Sequence, residues 1–265
     1  MDIRGYRTGP IQAEAAFTAD FAIPDDVPLQ SLMDMVEIER RSMDVRPGMR
    51  HKYTPLRFDP ATGVRQVGGR YLFDTWEHVL DYDRFTTSEL EFEPGVKFWD
   101  RPFFLNVDRH DWRVAGAHDF TPMATTHDVS RLERWTYRDG DPSGALATVW
   151  PAVRAGAERQ GLASVWLMFQ LEERQIAILT VAARPADDDP GAATSYALTR
   201  LERTESLGRL LPGKLEVERV FDRTSVIFTT WLPQSRLAGG DPAGFPVSPP
   251  MPLPHVPPSH VPPPG

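Results

Sequence analysis

Apolar and polar positions along the chain describe one order of elements twice: strand–helix–strand–strand–helix–strand, over residues 11–107 and again over 130–231. In the second copy, residues 131–137 predict a strand with Leu132 and Trp135 as its large apolar residues. Residues 145–160 place Leu146, Val149, Trp150, Val153 and Ala157 at spacings of three and four, the stripe of an amphipathic helix. Apolar runs at 164–170 and 176–183 flank Glu172-Glu173-Arg174 and predict a hairpin. A helix near 195–211 and a strand over 215–231 complete this copy. In the first copy, Phe17, Ala19, Phe21 and Ile23 alternate as a half-buried strand does. Pro28 opens a helix carrying Leu29, Leu32, Met33 and Val36, which ends before Pro47-Gly48. Met49, His51 and Tyr53 share one side of the next strand, and Asp59-Pro60-Ala61-Thr62-Gly63 has the chemistry of a turn. Tyr71-Leu72-Phe73 closes the hairpin. Asp74 or Thr75 caps a helix holding Trp76, Val79 and Leu80, and residues 96–107 form the last strand.

A helix on each side of a hairpin folds as a split βαβ unit, with antiparallel strands and both helices on one face. The predicted class is therefore α+β: two tandem ferredoxin-like (βαββαβ) units, 1–115 and 116–235, packed sheet to sheet as an intramolecular α/β barrel. That packing buries apolar faces which each unit alone would expose. Prolines crowd residues 242–265, so 236–265 is set apart as a Pro-rich disordered or polyproline II tail. Residues 186–193, with Asp187-Asp188-Asp189-Pro190-Gly191, predict an exposed loop.

Composition narrows the function. Hydrophobic residues make up 41% of the 265 and charged residues 25%, as in a soluble globular protein. No apolar run approaches the roughly 18–20 residues needed to cross a bilayer, and Met1-Asp2-Ile3-Arg4 does not begin a signal peptide, so a cytoplasmic location without membrane contact is expected. The absence of Cys removes disulfides, thiolate nucleophiles and Cys-ligated metals. With a net charge of −8 and scattered Lys and Arg, nucleic acid is not an expected partner. There is no G-x-G-x-x-G after a strand, no Walker A loop, no H-E-x-x-H and no G-x-S-x-G, which weighs against a dehydrogenase, kinase, zincin or α/β-hydrolase. His110-Asp111, His118-Asp119 and His127-Asp128 could in principle ligate iron, manganese or zinc. Their segment, rich in Asp, Arg and Thr, reads better as exposed turns, and no metal site is expected.

Aromatic residues, 10% of the chain, offer the most chemistry. Trp76 and Trp150 fall on predicted helices; Trp99, Trp135, Trp166 and Trp231 fall on or beside strands, and Trp112 lies close to the junction of the copies. Those facing one space would line a flat apolar pocket for a polycyclic aromatic ligand. His51 and Tyr53 share a strand face, His78 follows Trp76 by two residues, and Asn106, His110 and Trp112 cluster near the end of the fourth strand. A histidine can deprotonate a phenol, and Tyr, Asn or Trp can hydrogen-bond the oxyanion.

The run Gly69-Arg70-Tyr71-Leu72-Phe73-Asp74-Thr75-Trp76-Glu77-His78, a strand ending in an aromatic residue and turning straight into a Trp-bearing helix, resembles the hairpin-to-helix step of the antibiotic biosynthesis monooxygenase family. In length and tandem outline, over 11–231, the chain is similar to the fused two-copy members of aromatic polyketide pathways, most of all the oxygenases that open the B ring of angucyclines. The resemblance implies an oxygenase that oxidises an electron-rich phenol or hydroquinone with O2 as co-substrate and no tightly bound cofactor. Electrons would come from the substrate anion or from reduced flavin supplied by a separate flavin reductase. The expected catalytic residues are His51 or His78 as base with Tyr53; Trp76, Asn106, Trp166 and Trp231 would contact substrate. A redox-neutral polyketide cyclase or isomerase and a noncatalytic aromatic-binding protein are the alternatives. Either a monomer or a homodimer fits the fused arrangement.

Overall fold

The computed structural model describes residues 8–28, 30–32, 46–58, 63–121, 128–185 and 189–231. Eleven strands are present among these residues: β1 Gly9–Pro10, β2 Ala15–Ile23, β3 Met49–Phe58, β4 Arg65–Phe73, β5 Glu91–Glu93, β6 Val96–Lys97, β7 Leu105–Asp119, β8 Val129–Tyr137, β9 Ser164–Gln170, β10 Gln175–Ala182 and β11 Val217–Trp231. The α-helices that lie wholly among these residues are α1 Trp76–Arg84, α2 Ser143–Arg159 and α3 Pro190–Arg203.

Eight strands form one closed antiparallel barrel in the order β7-β2-β4-β3-β11-β8-β10-β9, with β9 returning to β7. The order β7-β2-β4-β3 is a complete ferredoxin-like sheet, and β11-β8-β10-β9 repeats it. Two seams join them. At one, Thr230 of β11 lies opposite Tyr53 of β3; at the other, Ala117 of β7 lies opposite Trp166 of β9. The expected pair of tandem βαββαβ units closed into a single barrel is the observed architecture. β7 ends at Asp119 and β8 begins at Val129, so the chain passes between units there.

Strand alternation gives the barrel two faces. Inside lie Ala16, Leu72, Trp112, Leu132, Trp166, Met168, Ala177 and Leu179, a core shared by both sheets. Outside the second sheet, α2 and α3 lay Leu146, Val149, Val153, Leu198 and Leu201 onto Val165, Leu167, Ile176 and Ile178. Outside the first sheet, Val79 and Tyr82 of α1 meet Phe17, Tyr71 and Phe73. Thr75 caps α1, its Oγ1 accepting from the His78 backbone N–H at 3.3 Å.

Local departures from the expected elements have physical causes. The last strand of the first unit starts at Leu105, not near 96. Gly95 turns a β5–β6 hairpin with φ of 83°, and Pro102 cannot donate to a ladder, so residues 98–104 fold back over the sheet instead. Leu80 is exposed, and Tyr82 takes the buried position expected of it. A bulge between Met49 and His51 turns Met49 to the outer core while His51 stays inside, so these two do not share a face. His110-Asp111 and His118-Asp119 sit within β7 rather than in turns. Most of the helix expected after Pro28, the 59–62 turn, His127 and the 236–265 tail lie outside the described residues. No described helix is long and apolar enough to cross a membrane.

A buried ion pair ties the first sheet from within. Arg70 Nη2 donates to both Asp20 carboxylate oxygens at 2.7 and 2.9 Å, and its Nη1 donates to the carbonyls of Ala19 at 2.6 Å and Gly69 at 2.9 Å. Removing one partner strands a charge that is 2% exposed on the arginine side. Asp20→Ala should therefore destabilise the fold by about 3–5 kcal/mol in urea unfolding, and the Asp20→Ala, Arg70→Leu double variant by less than either single change.

Candidate functional site

Three rows of side chains cross the outer face of the first sheet. The first runs Lys52–Tyr71–Phe17–Asp111 through consecutive register partners. The second holds Ala19 opposite Gly69, with Thr54 beside Gly69. The third is Phe21–Val67–Leu56. Two bulky rows thus flank a row of small residues, and the result is a slot.

Gly69 has a specific task here. A Cβ on it would come within 2.6 Å of the Tyr71 hydroxyl, so its absence lets the phenol lie along the strand. The Tyr71 ring stacks on Phe17 at 5.6 Å with an interplanar angle of 13°.

The roof is the folded-back segment after β6. Phe98, Trp99, Arg101 and Phe104 close over the slot with Leu32, leaving a narrow cleft with about 40 Å³ of free space. Trp99 is fixed by its Nε1–H, which donates to Thr86 Oγ1 at 3.1 Å, and Thr86 in turn donates to the Tyr82 carbonyl. Arg109 stacks on the Trp99 ring at 4.8 Å, while Phe104 packs against Phe21 at 4.0 Å.

Two cations enter this aromatic cleft. Lys52 is 2% exposed and its ammonium lies 4.9 Å from the centre of the Tyr71 ring. Arg101 is 4% exposed, its guanidinium 4.3 Å from the Phe98 ring centre and 4.9 Å from that of Phe104. Flat rings beside buried positive charge suit an aromatic ligand bearing an ionised oxygen.

The residues singled out in the sequence fall in other places. His51, Tyr53 and Trp166 come together inside the barrel, with ring centres 5.4 to 6.0 Å apart and none exposed. Burial pushes the Tyr53 hydroxyl above its usual range, against the opposing pull of Arg70 and Ser130, so it stays protonated. His78 Nδ1 meets Asp74 Oδ1 at 2.5 Å at the start of α1. Trp76, on the first turn of α1, lies under the Arg113 guanidinium at 4.6 Å. Asn106 opens β7, exposed and with φ of 51°. His110 and Trp112 are inside, 5.2 Å apart, and His110 joins Asp108, Arg134, Gln170 and Glu173 at one end of the barrel. Hydrogen bonds from His110 and Arg134 overcome burial and hold the Asp108 carboxyl well below the usual carboxylate range. The Trp231 side chain lies outside the described residues; its backbone pairs with Lys52. None of His51, Tyr53, Trp76, His78, Asn106 or Trp166 lines the cleft. Among the described residues no group of three His, Asp or Glu side chains is placed to hold a metal ion.

Lys52 and Arg101 are not marked by the local sequence, since Lys52 alternates with the inner-facing His51 and Tyr53 and Arg101 lies far along the chain. The available signal was Gly68-Gly69 inside a strand, which marks a close approach of backbone or ligand.

No family model matches the sequence, and no curated protein does. Solved structures do. A candidate monooxygenase of Fusobacterium nucleatum subsp. nucleatum superposes with a TM-score of 0.51 at 10% identity, over 83% of this chain and 94% of that one. A candidate monooxygenase of Lactobacillus acidophilus has a TM-score of 0.49 at 11% identity, over 83% and 96% of the two chains. An anthrone oxidase-like protein has a TM-score of 0.49 at 12% identity, over 86% and 96%. At such identities the likeness is one of fold.

Asp111, at the far end of the first row, has its carboxyl raised from 3.8 to about 7, by burial first and then by Asp83, against the pull of Arg109 and His110. A carboxyl with a raised folded value penalises the native state as pH climbs from the unfolded value to the folded one. Asp111→Asn should therefore stabilise the protein by about 1–3 kcal/mol above pH 7. Thermal unfolding followed between pH 4 and 8 should show this gain fading to nothing at the acid end.

Proposed function

We propose that the protein is an oxygenase acting with O2 on a polycyclic aromatic polyketide, bound as its phenolate or hydroquinone anion in the outer cleft of the first unit. The observation that carries this reading is the meeting of two buried cations, Lys52 and Arg101, with the small-residue slot and its aromatic roof. The fold agrees with it, being shared with the candidate monooxygenase of Fusobacterium nucleatum, although fold alone does not assign chemistry.

The cleft would do three things. Phe21, Tyr71, Trp99 and Phe104 hold the ring system flat. Lys52 and Arg101 favour the ionised ring over the neutral phenol, raising its electron density and readiness to reduce O2. The roof excludes water from the oxidised ring carbon. Oxidation of a ring methylene to a carbonyl balances with O2 alone, one oxygen atom entering the product and the other leaving as water. Insertion of oxygen during ring opening takes two further electrons, for which reduced flavin from a flavin reductase is the proposed source.

His51 and Tyr53 face the barrel interior and His78 stands outside the cleft, so the phenol proton would pass to solvent, and a pH–rate profile tests this. Loss of one limb in His51→Ala or His78→Ala identifies the base; an unchanged limb in both hands the proton to solvent.

In an oxygen electrode, a tetracyclic angular hydroquinone should give enzyme-dependent O2 uptake above its autoxidation rate. Lys52→Met should lower kcat/KM by about 100-fold, the loss of one charge-assisted contact to the ring oxygen. Rearranged product without O2 uptake would favour a redox-neutral cyclase, and tight binding without turnover a noncatalytic binder; either result removes the oxygenase reading.

A further inference from the structure

We infer that residues 90–106 form a lid that lifts to admit the ligand, with the Trp99–Thr86 hydrogen bond as its latch. This rests on the reading of the cleft as the binding site and adds how that site is entered.

The free space, about 40 Å³, is room for roughly three waters. Pockets that hold drug-sized ring systems begin at about 300 Å³. The floor cannot supply the difference, because it is sheet backbone and the Tyr71 phenol already lies over Gly69. The missing room has to come from the roof.

The attachment of the roof allows this. Among the described residues, the backbone hydrogen bonds of 91–104 stay within the segment or reach Leu90. β5 and β6 pair only with each other, the Phe98 N–H donates to the Leu90 carbonyl at 2.9 Å, and the Phe104 N–H donates to that of Arg101 at 3.0 Å. Side chains make the connection to the body instead. Trp99 donates to Thr86, Arg109 lies over the Trp99 ring and Phe104 rests on Phe21. A cover held without a strand ladder opens at lower free energy than the sheet beneath it. Irregular backbone marks both of its ends. The π-helical turn Phe85–Glu89, which contains the buried Thr86, leads into Leu90, and Asn106 takes a left-handed φ of 51° at the start of β7.

The lid carries one of the two cations. Arg101 stacks on Phe98 and Phe104, which move with it, while Lys52 stands on β3. Closure over an anion beside Lys52 therefore delivers the second charge. A ring inserted beneath Trp99 parts lid from floor by roughly 3.5 Å, a gap the 3.1 Å latch does not span. Breaking the latch is thus a cost of binding, and a variant that lacks it should bind more tightly.

The test uses the full chain with a dihydroxyanthraquinone. In hydrogen exchange followed by NMR, the Trp99 indole N–H and the Phe98 amide should exchange about 100-fold faster than the Leu179 amide of the barrel wall. In calorimetry, Thr86→Val, which removes the acceptor, should tighten binding by about 10-fold. Thr86→Ser, which keeps the acceptor, should leave the affinity unchanged. Trp99→Phe removes the donor and takes the place of Thr86→Val if circular dichroism shows that variant unfolded. Binding with Trp99 and Phe98 exchanging as slowly as Leu179, or an affinity that falls or stays the same without the latch, would overturn the lid and leave the oxygenase reading standing. Fast exchange and tighter binding without O2 uptake uphold the lid while removing that reading. No binding by the protein or the latch variant, up to the solubility of the probe, overturns both.

Discussion

Closure of the barrel is the constraint on which everything else depends. Each unit offers two open edges, β3 and β7 in the first and β9 and β11 in the second, and the two seams pair all four. Unpaired edges leave backbone N–H and C=O groups without partners and invite foreign strands. Pairing them also brings the inner faces of the sheets together, so that Trp112, Trp166, Leu132 and Leu179 become one core. With that space filled, the cleft lies on the outer face of the first sheet. The position of the cleft follows from the closure.

Within that frame, one row of side chains decides where the room lies. Ala19, Gly69 and Thr54 contribute little bulk, and the neighbouring rows contribute a great deal. Arg70 works from the other face of the same strands. Its guanidinium grips the carbonyls of Ala19 and Gly69, the two residues that form the floor, while its charge is met by Asp20. The floor is thus held from below by the barrel interior, and the interior ion pair and the exterior slot form one mechanical unit.

Much of the fold was legible in the chain. Alternation at 17–23, the three-and-four spacing of Leu146 to Ala157 and the polar turn at 172–174 all identify elements that the structure contains, and their repeated order implies the tandem barrel. Over residues 96–107 apolar density alone does not separate a strand from an aromatic flap, and Pro102 and Gly95 are the local signals for the flap. The candidate site was less legible. Side-chain alternation along β3 puts His51 and Tyr53 on one face and Lys52 on the other, and which face borders a cavity is settled by packing from residues 98–104, distant in sequence. Nothing local to Lys52 announces Arg101.

The joining of the two units in one chain has a consequence beyond shape. Two separate half-barrels would have to meet in solution, and their association would weaken on dilution. Covalent linkage converts that encounter into an intramolecular one, at an effective concentration set by the connecting segment rather than by expression level. Each half can then diverge without preserving a matching surface on an identical copy. That freedom is visible in a barrel whose halves agree in strand order and disagree in almost every side chain.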